Sequence, residues 1–577
     1  MRRVLDALAP PDLRSVLRMA GAGRDFALGA LLAVLSAWGI VAAPWLIGKA
    51  VNELKRTSTE HLALVALAVA GAGLLTAVLS GAALWLLGRF AAAAGARIRD
   101  LLYDHLLVAS LDLFRAQPTG QLVARATADV EPIKLLLTGG VSVFAQLAGT
   151  IGFAVVVMLL IDPELAGIAL IPLPVAIAVQ LLYGARTRAA TVRAEERRGI
   201  VATEVADDVR AARLIFALGL EGRERAQFAR AVAALFRGYL RLGRLDAAYG
   251  SVLDFIPYVS LGLVLAFGSR AVVDGRISLG EFVTFFGFAS ILSVASNQVG
   301  YFTYLVASAA GSATRVLELL HHPREATGAD DADPGGWRGL TLEGVSVMQQ
   351  GTAAPLEDVD LDITPGETIA VVGATGAGKS TLLDIVDGLI EPERGEIATG
   401  GEHPAGLGLG GLRRLAALGG EGSGLFSMSI ADNIAYGRPG ATAAEIEAAA
   451  RRAHADSVVA RLPDGYETQV GEEGGRLSGG ERQRIALARA LLVEPRILLL
   501  NNITSSLDPK AANEVLSSLA DAAGADRVLT TNDVATLTLA DRIVVLEEGR
   551  VLCTGTHEEL LETCPRYREM VALWEEQ

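Results

Sequence analysis

The sequence predicts a multidomain membrane protein, in which an all-α domain of six transmembrane helices with long cytoplasmic helical extensions precedes an α/β domain with a phosphate-binding loop. Six apolar runs lie within residues 26–310, each close in length to the ~20 residues that a bilayer core requires. A glycine-rich loop with a lysine follows a strand-like run at residue 373. The 577 residues are 51% hydrophobic yet carry a net charge of −14, so the apolar and charged residues are expected in different domains.

The first domain is predicted from the length and spacing of the apolar runs. The fourth run is slightly short but continues from a tight turn. Buried helices of a soluble protein are the alternative explanation, and six runs with this spacing disfavour it. The predicted spans are residues 26–50, 62–87, 140–161, 165–183, 252–273 and 282–310.

The connections between the spans alternate between short and long. Residues 52–61, 162–164 and 274–279 are short, whereas 88–139 and 184–251 are long and have helical periodicity. The second long connection is rich in arginine, and an excess of arginine marks the cytoplasmic side. We therefore expect the long connections and both termini in the cytoplasm, with the long connections forming helical hairpins. The hairpin of residues 184–251 would extend on the order of 50 Å.

The composition indicates the kind of organism. Arginine greatly outnumbers lysine and alanine is abundant, which we interpret as the mark of a GC-rich bacterial genome. We therefore predict a multi-pass membrane protein of bacterial origin. No cleavable signal peptide is expected in residues 1–24. An acidic chain without a basic run argues against nucleic-acid binding.

The second domain is predicted to be cytosolic. An acidic stretch rich in glycine and proline precedes it and is typical of a linker. The predicted division is 1–322 for the transmembrane domain, 323–339 for the linker and 340–577 for the second domain. The only cysteines, Cys553 and Cys564, lie in that last part, where reduced thiols are expected rather than a disulfide.

The clearest motif is a phosphate-binding loop, G-x-x-x-x-G-K-[S/T], between a strand-like and a helix-like run. Its backbone N–H groups would close around phosphate oxygens, which leaves no room for Cβ atoms at the glycines. Lys379 would reach the β- and γ-phosphates, and Ser380 would hold Mg²⁺. A glycine-rich turn that binds nothing is the alternative. The candidate nucleotide-binding residues here are Gly373, Ala374, Thr375, Gly376, Ala377, Gly378, Lys379, Ser380 and Thr381.

A second motif lies about a hundred residues further on and gives the chain a family resemblance. Its residues are Leu477, Ser478, Gly479, Gly480 and Glu481. With the phosphate loop, this sequence resembles the nucleotide-binding domain of ABC transporters, in which L-S-G-G is the signature motif. In that family two domains pair head to tail, and each ATP lies between one chain's phosphate loop and the other chain's signature. The resemblance implies ATP and Mg²⁺ as cofactors and a signature that acts in trans.

The six spans with two long hairpins resemble an exporter-type half-transporter (type IV fold) of the same family. In that family a coupling helix at the tip of each hairpin docks on the nucleotide-binding domains. Residues 111–122 and 212–223 match those positions. Ordinary amphipathic packing is the alternative for both segments.

The resemblance fails at the residues with which the family hydrolyses ATP. Where the family has Asp-Glu after a strand, this chain has Asn501 and Asn502. The family's γ-phosphate-sensing His is Asn532 here, its Gln that links the nucleotide to the membrane helices is Glu421, and its adenine-stacking aromatic residue falls at Gln349. An amide offers no basic, anionic oxygen, and a positioned general base contributes about 10²–10⁴ in rate. We therefore predict a site that binds ATP but has no catalytic residue in cis, with Glu421 as a further candidate Mg²⁺ ligand.

With the family resemblance, these changes predict the degenerate half of a heterodimeric ABC transporter that moves a hydrophobic or amphipathic solute across the bacterial inner membrane. The partner would be a second, catalytically competent half-transporter whose active site this chain's signature completes. A non-pumping nucleotide-binding regulatory subunit, a homodimer with two inactive sites and a siderophore importer with the exporter fold are the alternatives.

Two features bear on the substrate. Asp254 lies in or near the fifth span, where a carboxylate is costly and often functional. A position at the cytosolic end, where it reaches water or Arg244, is the alternative. The sixth span carries several aromatic residues with Asn297 and Gln298 among them, which would suit an amphipathic substrate, although lipid contact or helix packing would also explain them.

Overall fold

The computed structural model describes residues 10–21, 23–53, 59–325, 337–348, 355–399, 405–406, 408–420, 422–521 and 525–575. Two compact units make up the chain. The first comprises Met1–Leu107 with Thr119–His322, and the second comprises Val108–Pro118 with Pro323–Gln577. Within the described residues the first unit is helical and the second combines helices with two sheets. The predicted fold class is therefore confirmed.

Long helices dominate the chain before residue 323. They are α1 (Pro11–Ala20), α2 (Arg24–Glu53), α3 (Thr59–Leu107), α4 (Leu111–Ala116), α5 (Thr119–Thr127), α6 (Val130–Leu135) followed by a π-helical turn (Leu136–Gly140), α7 (Val141–Ile161), α8 (Pro163–Leu170), α9 (Pro172–Arg210), α10 (Ala212–Leu218), α11 (Glu221–Val273) and α12 (Leu279–Leu320). Among the described residues, five stretches are long and apolar enough to cross a membrane, namely Arg24–Asn52, Ala63–Leu107, Thr119–Ile161, Pro163–Gly184 and Glu221–Val273. The sixth predicted span lies in α12, whose apolar described stretch is Leu279–Leu292; the side chains of residues 293–297 lie outside the described set.

The short connections meet at one end of the helical unit. Arg276, between α11 and α12, forms ion pairs of 2.7 Å with both Asp162 and Glu164. Asn52, near the end of α2, accepts a hydrogen bond of 2.7 Å from the backbone N–H of Gly280. The Asp162 carboxylate also caps the N-terminus of α8. All three connections are thus joined through side chains that are far apart in the sequence.

The long connections are continuous with the apolar helices, as the sequence predicts. α9 has 39 residues and α11 has 53, which correspond to about 58 Å and about 80 Å at ~1.5 Å per residue. The short α10 joins them, and its Phe216 side chain is 71% exposed. The second hairpin therefore consists of two long helices, α9 and α11, joined by the short exposed helix α10.

The tip of the first hairpin belongs to the second unit. Ser110 donates a backbone hydrogen bond of 3.4 Å to the Pro323 carbonyl, and Glu325 donates one of 2.9 Å to the Val108 carbonyl. Glu325 is also paired with Arg413 of the α/β part. The predicted segment 111–122 begins with α4 immediately after this contact, and 212–223 begins with α10.

Two sheets form the rest of the second unit. Their strands are β1 (Leu340–Val347), β2 (Leu356–Ile363), β3 (Thr368–Gly373), β4 (Arg394–Thr399), β5 (Ala405–Gly406), β6 (Ala416–Gly420), β7 (Ile497–Asn501), β8 (Asp526–Thr530), β9 (Arg542–Glu547) and β10 (Arg550–Gly555). The helices are α13 (Lys379–Val386), α14 (Leu409–Leu415), α15 (Ile430–Ala435), α16 (Ala443–Arg452), α17 (Asp456–Val459), α18 (Gly479–Leu492), α19 (Pro509–Asp521), α20 (Val534–Leu537), α21 (His557–Thr563) and α22 (Pro565–Glu575).

The central strand of the larger sheet is buried on both faces. The strand orders are β2-β1-β4-β5, which is antiparallel, and β10-β9-β3-β8-β7-β6, which is parallel from β9 to β6. Ile369 and Val371 of β3 belong to one hydrophobic core, and Ala370 and Val372 belong to the other. A strand covered on both faces explains the continuous apolar run before the phosphate loop.

Candidate nucleotide-binding site

The carboxyl ends of four parallel strands define one edge of the larger sheet. Val371 of β3 pairs with Thr530 of β8, and Thr530 pairs with Asn501 of β7. Asn501 in turn pairs with Gly420, the last residue of β6. Because neighbouring strands are about 4.8 Å apart, Val371 and Asn501 are separated by about 10 Å. The phosphate loop after β3 and the asparagine pair therefore share the edge at which open α/β sheets bind ligands.

Close approach of neighbouring atoms makes glycine necessary at two positions of the loop. A Cβ on Gly373 would lie 2.3 Å from the Leu546 carbonyl oxygen, and one on Gly378 would lie 2.5 Å from Leu356 Cδ2. Gly376 has open space around it but a φ of 87°, which glycine adopts without a steric penalty. The glycines of the predicted motif thus shape the loop.

Lys379 begins α13 and folds over the loop that precedes it. Its Nζ donates hydrogen bonds to the carbonyl oxygens of Gly373 (2.7 Å) and Ala374 (3.0 Å). Burial of the ammonium lowers the pKa of Lys379. Ser380 is exposed at the start of the same helix, whereas Thr381 is buried. The helix start therefore combines a cation with an accessible hydroxyl.

These residues fit a nucleoside triphosphate with Mg²⁺. The loop residues Ala374, Thr375 and Gly376 are exposed, so their backbone is accessible to phosphate oxygens. The N-terminus of α13 adds a dipole that favours an anion. Among the described residues no cluster of three or more His, Cys, Asp or Glu side chains could hold a metal ion. The exposed Ser380 hydroxyl is one group that could join phosphate oxygens and water around a Mg²⁺ ion, which commonly keeps several waters.

Asn501 ends β7, and Asn502 follows it in a tight turn. The Oδ1 atom of Asn501 accepts a hydrogen bond of 2.7 Å from the Thr530 hydroxyl. The Asn502 N–H donates to the Thr530 carbonyl at 3.1 Å. Asn502 has a φ of 47°, a left-handed conformation in which asparagine is enriched. Both side chains end in amides, so neither brings an anionic oxygen to this edge.

Of the other three positions predicted to differ from the family, the structure describes one. Asn532 follows β8 two residues after Thr530 and is exposed. Gln349 and Glu421 lie outside the described residues, so their roles remain predictions.

Ser478 caps the N-terminus of α18, the helix that carries the signature motif. Its hydroxyl accepts a hydrogen bond of 3.4 Å from the Glu481 N–H, and the Glu481 carboxylate accepts one of 2.8 Å from the Ser478 N–H. These bonds, with an ion pair of 3.0 Å to Arg461, lower the pKa of Glu481. A Cβ on Gly480 would lie 2.6 Å from the Ser506 carbonyl oxygen, so the helix packs closely on the segment after the asparagine pair.

Two residues that the motifs do not identify hold the asparagine pair in place. The Thr530 hydroxyl contacts both members, since it donates to Asn501 and accepts from the Asn502 N–H at 3.2 Å. Gln483 of α18 donates through Nε2 to Ser505 Oγ at 3.0 Å and to the Asn502 carbonyl at 3.4 Å. A threonine at a strand end and a glutamine after the signature are weak sequence signals. Their roles depend on strand pairing and helix packing.

The expectation of two reduced thiols is wrong in this structure. Cys553 of β10 and Cys564, which follows α21, form a disulfide with a Cα separation of 6.6 Å. α21 begins two residues after β10 ends, and the Cys564 side chain is buried in the core beside that strand. The prediction considered only the cellular compartment, whereas the pairing depends on this reversal of the chain.

A helical membrane region followed by an α/β domain with a phosphate loop and a capped signature helix defines the class of ATP-binding membrane permeases. The family described as ABC transporter transmembrane region matches residues 26–296, and the family described as ABC transporter matches residues 356–505.

Individual proteins agree with these matches. A multidrug efflux ATP-binding/permease protein of Mycobacterium tuberculosis is 37% identical over 457 residues, which are 79% of this chain and 38% of that protein. The matched residues therefore span well under half of the length of this relative. An ATP-dependent lipid A-core flippase of Syntrophus aciditrophicus is 31% identical over 481 residues, covering 82% of this chain and 79% of that protein. The chain belongs to the ABC transporter family.

A solved structure shows which fold the chain has within that family. The structure of a bacterial Atm1-family ABC exporter with ATP bound superposes with a TM-score of 0.85 over 95% of this chain and 99% of the other, at 24% identity. The exporter-type fold of a half-transporter, with one membrane region and one nucleotide-binding domain, is therefore the fold of this chain.

Proposed function

We propose that this chain is the degenerate half of a heterodimeric ABC exporter that moves a hydrophobic or amphipathic solute across the bacterial inner membrane. The names of the two relatives, one a multidrug efflux protein and one a lipid A-core flippase, support an apolar or amphipathic cargo. Residues 1–322 form the transmembrane domain, 323–339 the linker and 340–577 the nucleotide-binding domain. The nucleotide-binding domain and both termini lie in the cytoplasm.

In this proposal the chain holds one ATP on its own phosphate loop. Backbone N–H groups of residues 374–378 bind the phosphates, and Lys379 exchanges the loop carbonyls for phosphate oxygens. Ser380 joins the Mg²⁺ shell, with Glu421 as a second candidate. Gln349, in place of an aromatic residue, gives weak stacking on the adenine.

The observation that carries the proposal is the asparagine pair at the end of β7. Hydrolysis requires a base for the attacking water and anionic ligands around Mg²⁺. Asn501 and Asn502 stand on the ligand-binding edge, one strand away from the strand that carries the phosphate loop, and provide neither. The exposed Asn532 has no imidazole to sense the γ-phosphate. The site therefore retains ATP without efficient hydrolysis.

The signature helix serves the other site in this proposal. The capping box of Ser478 and Glu481 fixes the first turn of α18, whose N-terminus presents backbone N–H groups to an anion. The ATP bound there is held mainly by the partner, which supplies the Asp-Glu pair, the His and the Gln. Closure of the two nucleotide-binding domains on ATP is passed to the helices through the hairpin tips at α4 and α10.

Phosphate release by the full chain purified without a partner tests the proposal. The chain alone should bind ATP yet hydrolyse it about 10²–10⁴ times more slowly than the complex with its competent partner. Lys379→Ala should abolish ATP binding in this chain and serves as the control for a functional loop. Release at the rate of the complex by the chain alone would refute the proposal.

Restoration of the carboxylates gives a second, independent test. Asn501→Asp with Asn502→Glu and Asn532→His should raise phosphate release by a homodimer of this chain about 10²-fold or more. Asn501→Asp preserves the acceptor that Thr530 requires, since a carboxylate oxygen replaces Oδ1. Asn501→Asp alone is the matched control, because it restores a metal ligand without restoring the base.

A further inference from the structure

A half-open cavity of about 310 Å³ lies between α2, α7 and α12 of the helical unit. Each of the three helices contributes one or two aliphatic side chains to its walls. Its polar atoms come from Gln146 and Thr150 of α7 and from Ser290 and Gln298 of α12. Asp254, considered above as a substrate contact, is exposed on α11 and is not among the residues that line the cavity. Apolar walls with a few convergent polar groups are the usual form of a small-molecule site.

The hydrogen bonds that two lining residues already make determine which donors or acceptors remain for a ligand. Gln146 Nε2 donates to Ser36 Oγ of α2 at 3.3 Å and to Ser80 Oγ of α3 at 3.2 Å. Since an amide nitrogen has two N–H donors, the remaining capacity of Gln146 is the acceptor Oε1. The Ser290 hydroxyl donates to the Phe286 carbonyl at 2.9 Å and also retains acceptor capacity. A ligand would therefore have to donate hydrogen bonds to these two residues.

The middle stretches of the three helices that enclose the cavity carry no charged residue. α2 has no charged residue between Asp25 and Lys49, α12 has none between Glu281 and Arg315, and α7 has none at all. These uncharged stretches are long enough to cross the hydrocarbon core. An ionised group in that region is costly unless an opposite charge pairs with it. A phosphate or an ammonium group would find no such partner on these helices.

We propose that this cavity binds an uncharged amphiphile whose apolar body carries amide or hydroxyl groups. Its N–H or O–H groups donate to Gln146 and Ser290, and Gln298 and Thr150 provide further polar contacts. The proposal rests on the proposed function for the role of the ligand as cargo, and it specifies the chemical class of that cargo. Neutral lipids and neutral peptides share this chemistry, whereas phosphorylated lipids and lipophilic cations are excluded.

Binding of matched probes to the full chain in nanodiscs of zwitterionic lipid tests the charge preference. The neutral probes are a short-chain ceramide and an N-acetylated, C-amidated Leu-Phe dipeptide. The charged probes are phosphatidic acid of the same chain length and tetraphenylphosphonium. We expect saturable binding of at least one neutral probe and at least tenfold weaker binding of both charged probes. Ceramide binding alone would indicate a membrane lipid as the ligand, and dipeptide binding alone a peptide.

Two outcomes of this experiment would overturn the inference. One is a charged probe that binds as tightly as the better neutral probe. The other is the failure of both neutral probes to saturate. ATP affinity is measured on the same samples, with Lys379→Ala as its control. Failure of the neutral probes with intact ATP binding refutes the inference alone, whereas rapid hydrolysis by the isolated chain refutes only the degenerate-site proposal.

Isosteric substitutions locate the binding site. Thr150→Val removes one hydroxyl of the cavity, and we expect it to weaken the neutral probe about fivefold, as for the loss of one hydrogen bond. Gln298→Leu should have a similar or larger effect. Thr303→Val is the matched control, because Thr303 lies on α12 outside the cavity and its hydroxyl bonds to the Val299 carbonyl. Equal affinities of Thr150→Val and Thr303→Val would place the bound probe elsewhere and contradict the assignment.

Discussion

Replacement of Gly480 by alanine tests the packing of the signature helix on the segment after the asparagine pair. The new Cβ would lie 2.6 Å from the Ser506 carbonyl oxygen and 2.9 Å from Leu507 Cδ2. A backbone oxygen cannot rotate away, so the helix or the segment must shift. Overpacking of this kind costs about 1–3 kcal/mol, whereas exchange of glycine for alanine in a helix contributes about 1 kcal/mol in the opposite sense. Gly480→Ala should therefore lower the free energy of unfolding by up to about 2 kcal/mol.

Gly479→Ala is the matched control for this substitution. Its Cβ would lie 3.3 Å from Cβ and Oγ of Ser506, contacts with a side chain that can yield by a few tenths of an ångström. We expect its free energy of unfolding to remain within about 0.5 kcal/mol of wild type. Pulse proteolysis of the full chain across a urea series, with detection of fragments of the C-terminal domain, measures both variants. Equal stability of the two variants would refute the packing argument.

The same two variants also test the assignment of the signature to the partner's site. Neither glycine lies on the phosphate loop, so both variants should bind ATP in this chain with wild-type affinity. Gly480→Ala displaces the N-terminus of α18 and should slow phosphate release by the complex with the partner. Weakened ATP binding in this chain together with unchanged release by the complex would contradict a role in trans.

Two further substitutions test charges away from the nucleotide. Burial raises the pKa of Asp387 to about 6; the folded state then holds the proton more tightly than the unfolded state, so stability falls as the pH rises from about 4 to about 6. Near pH 7, Asp387→Asn should therefore have a free energy of unfolding up to about 3 kcal/mol higher than wild type, measured by urea unfolding. Below about pH 4 the two proteins should be equally stable, and equal stability at both pH values would contradict the argument. Arg276→Gln removes the ion pairs with Asp162 and Glu164. It should lower the thermal unfolding temperature of the full chain more than Arg270→Gln, because the ion pair of Arg270 is longer (3.9 Å) and exposed. Equal shifts would show that the ion pairs of Arg276 do not stabilise the connections.

The architecture could be predicted because its constraints are local. A bilayer fixes the length of an apolar run, and a strand buried on both faces reads as one continuous apolar stretch, as in β3. The turn at 162–164 was also predictable, since Asp-Pro-Glu combines a cap with a helix-starting proline. The contact of Arg276 with that turn was not, because more than a hundred residues separate the two and no periodicity signals their meeting.

In the nucleotide-binding site, too, the features set by local constraints could be predicted and the long-range contacts could not. The phosphate loop is specified by steric demands within a few residues, so its glycines and lysine are visible in the sequence. The roles of Thr530 and Gln483 depend on strand pairing and on helix packing. The prediction of two reduced thiols failed because it used a general rule about the cytosol. The proximity of Cys553 and Cys564 depends on the folded chain and could not be predicted from the sequence.

The hydrogen bonds around Asn501 indicate which properties of residues 501 and 502 the fold requires and which only ATP hydrolysis would require. Thr530 requires an acceptor at residue 501, which an amide supplies as well as a carboxylate would, and it binds residue 502 through the backbone N–H, whatever the side chain there. The left-handed turn at Asn502 even favours asparagine over glutamate. The fold of the edge therefore does not depend on the negative charges that hydrolysis needs. Restoring carboxylates there should alter the chemistry with little change in structure, so a failure of the restored chain to hydrolyse ATP would count against the degenerate-site proposal itself.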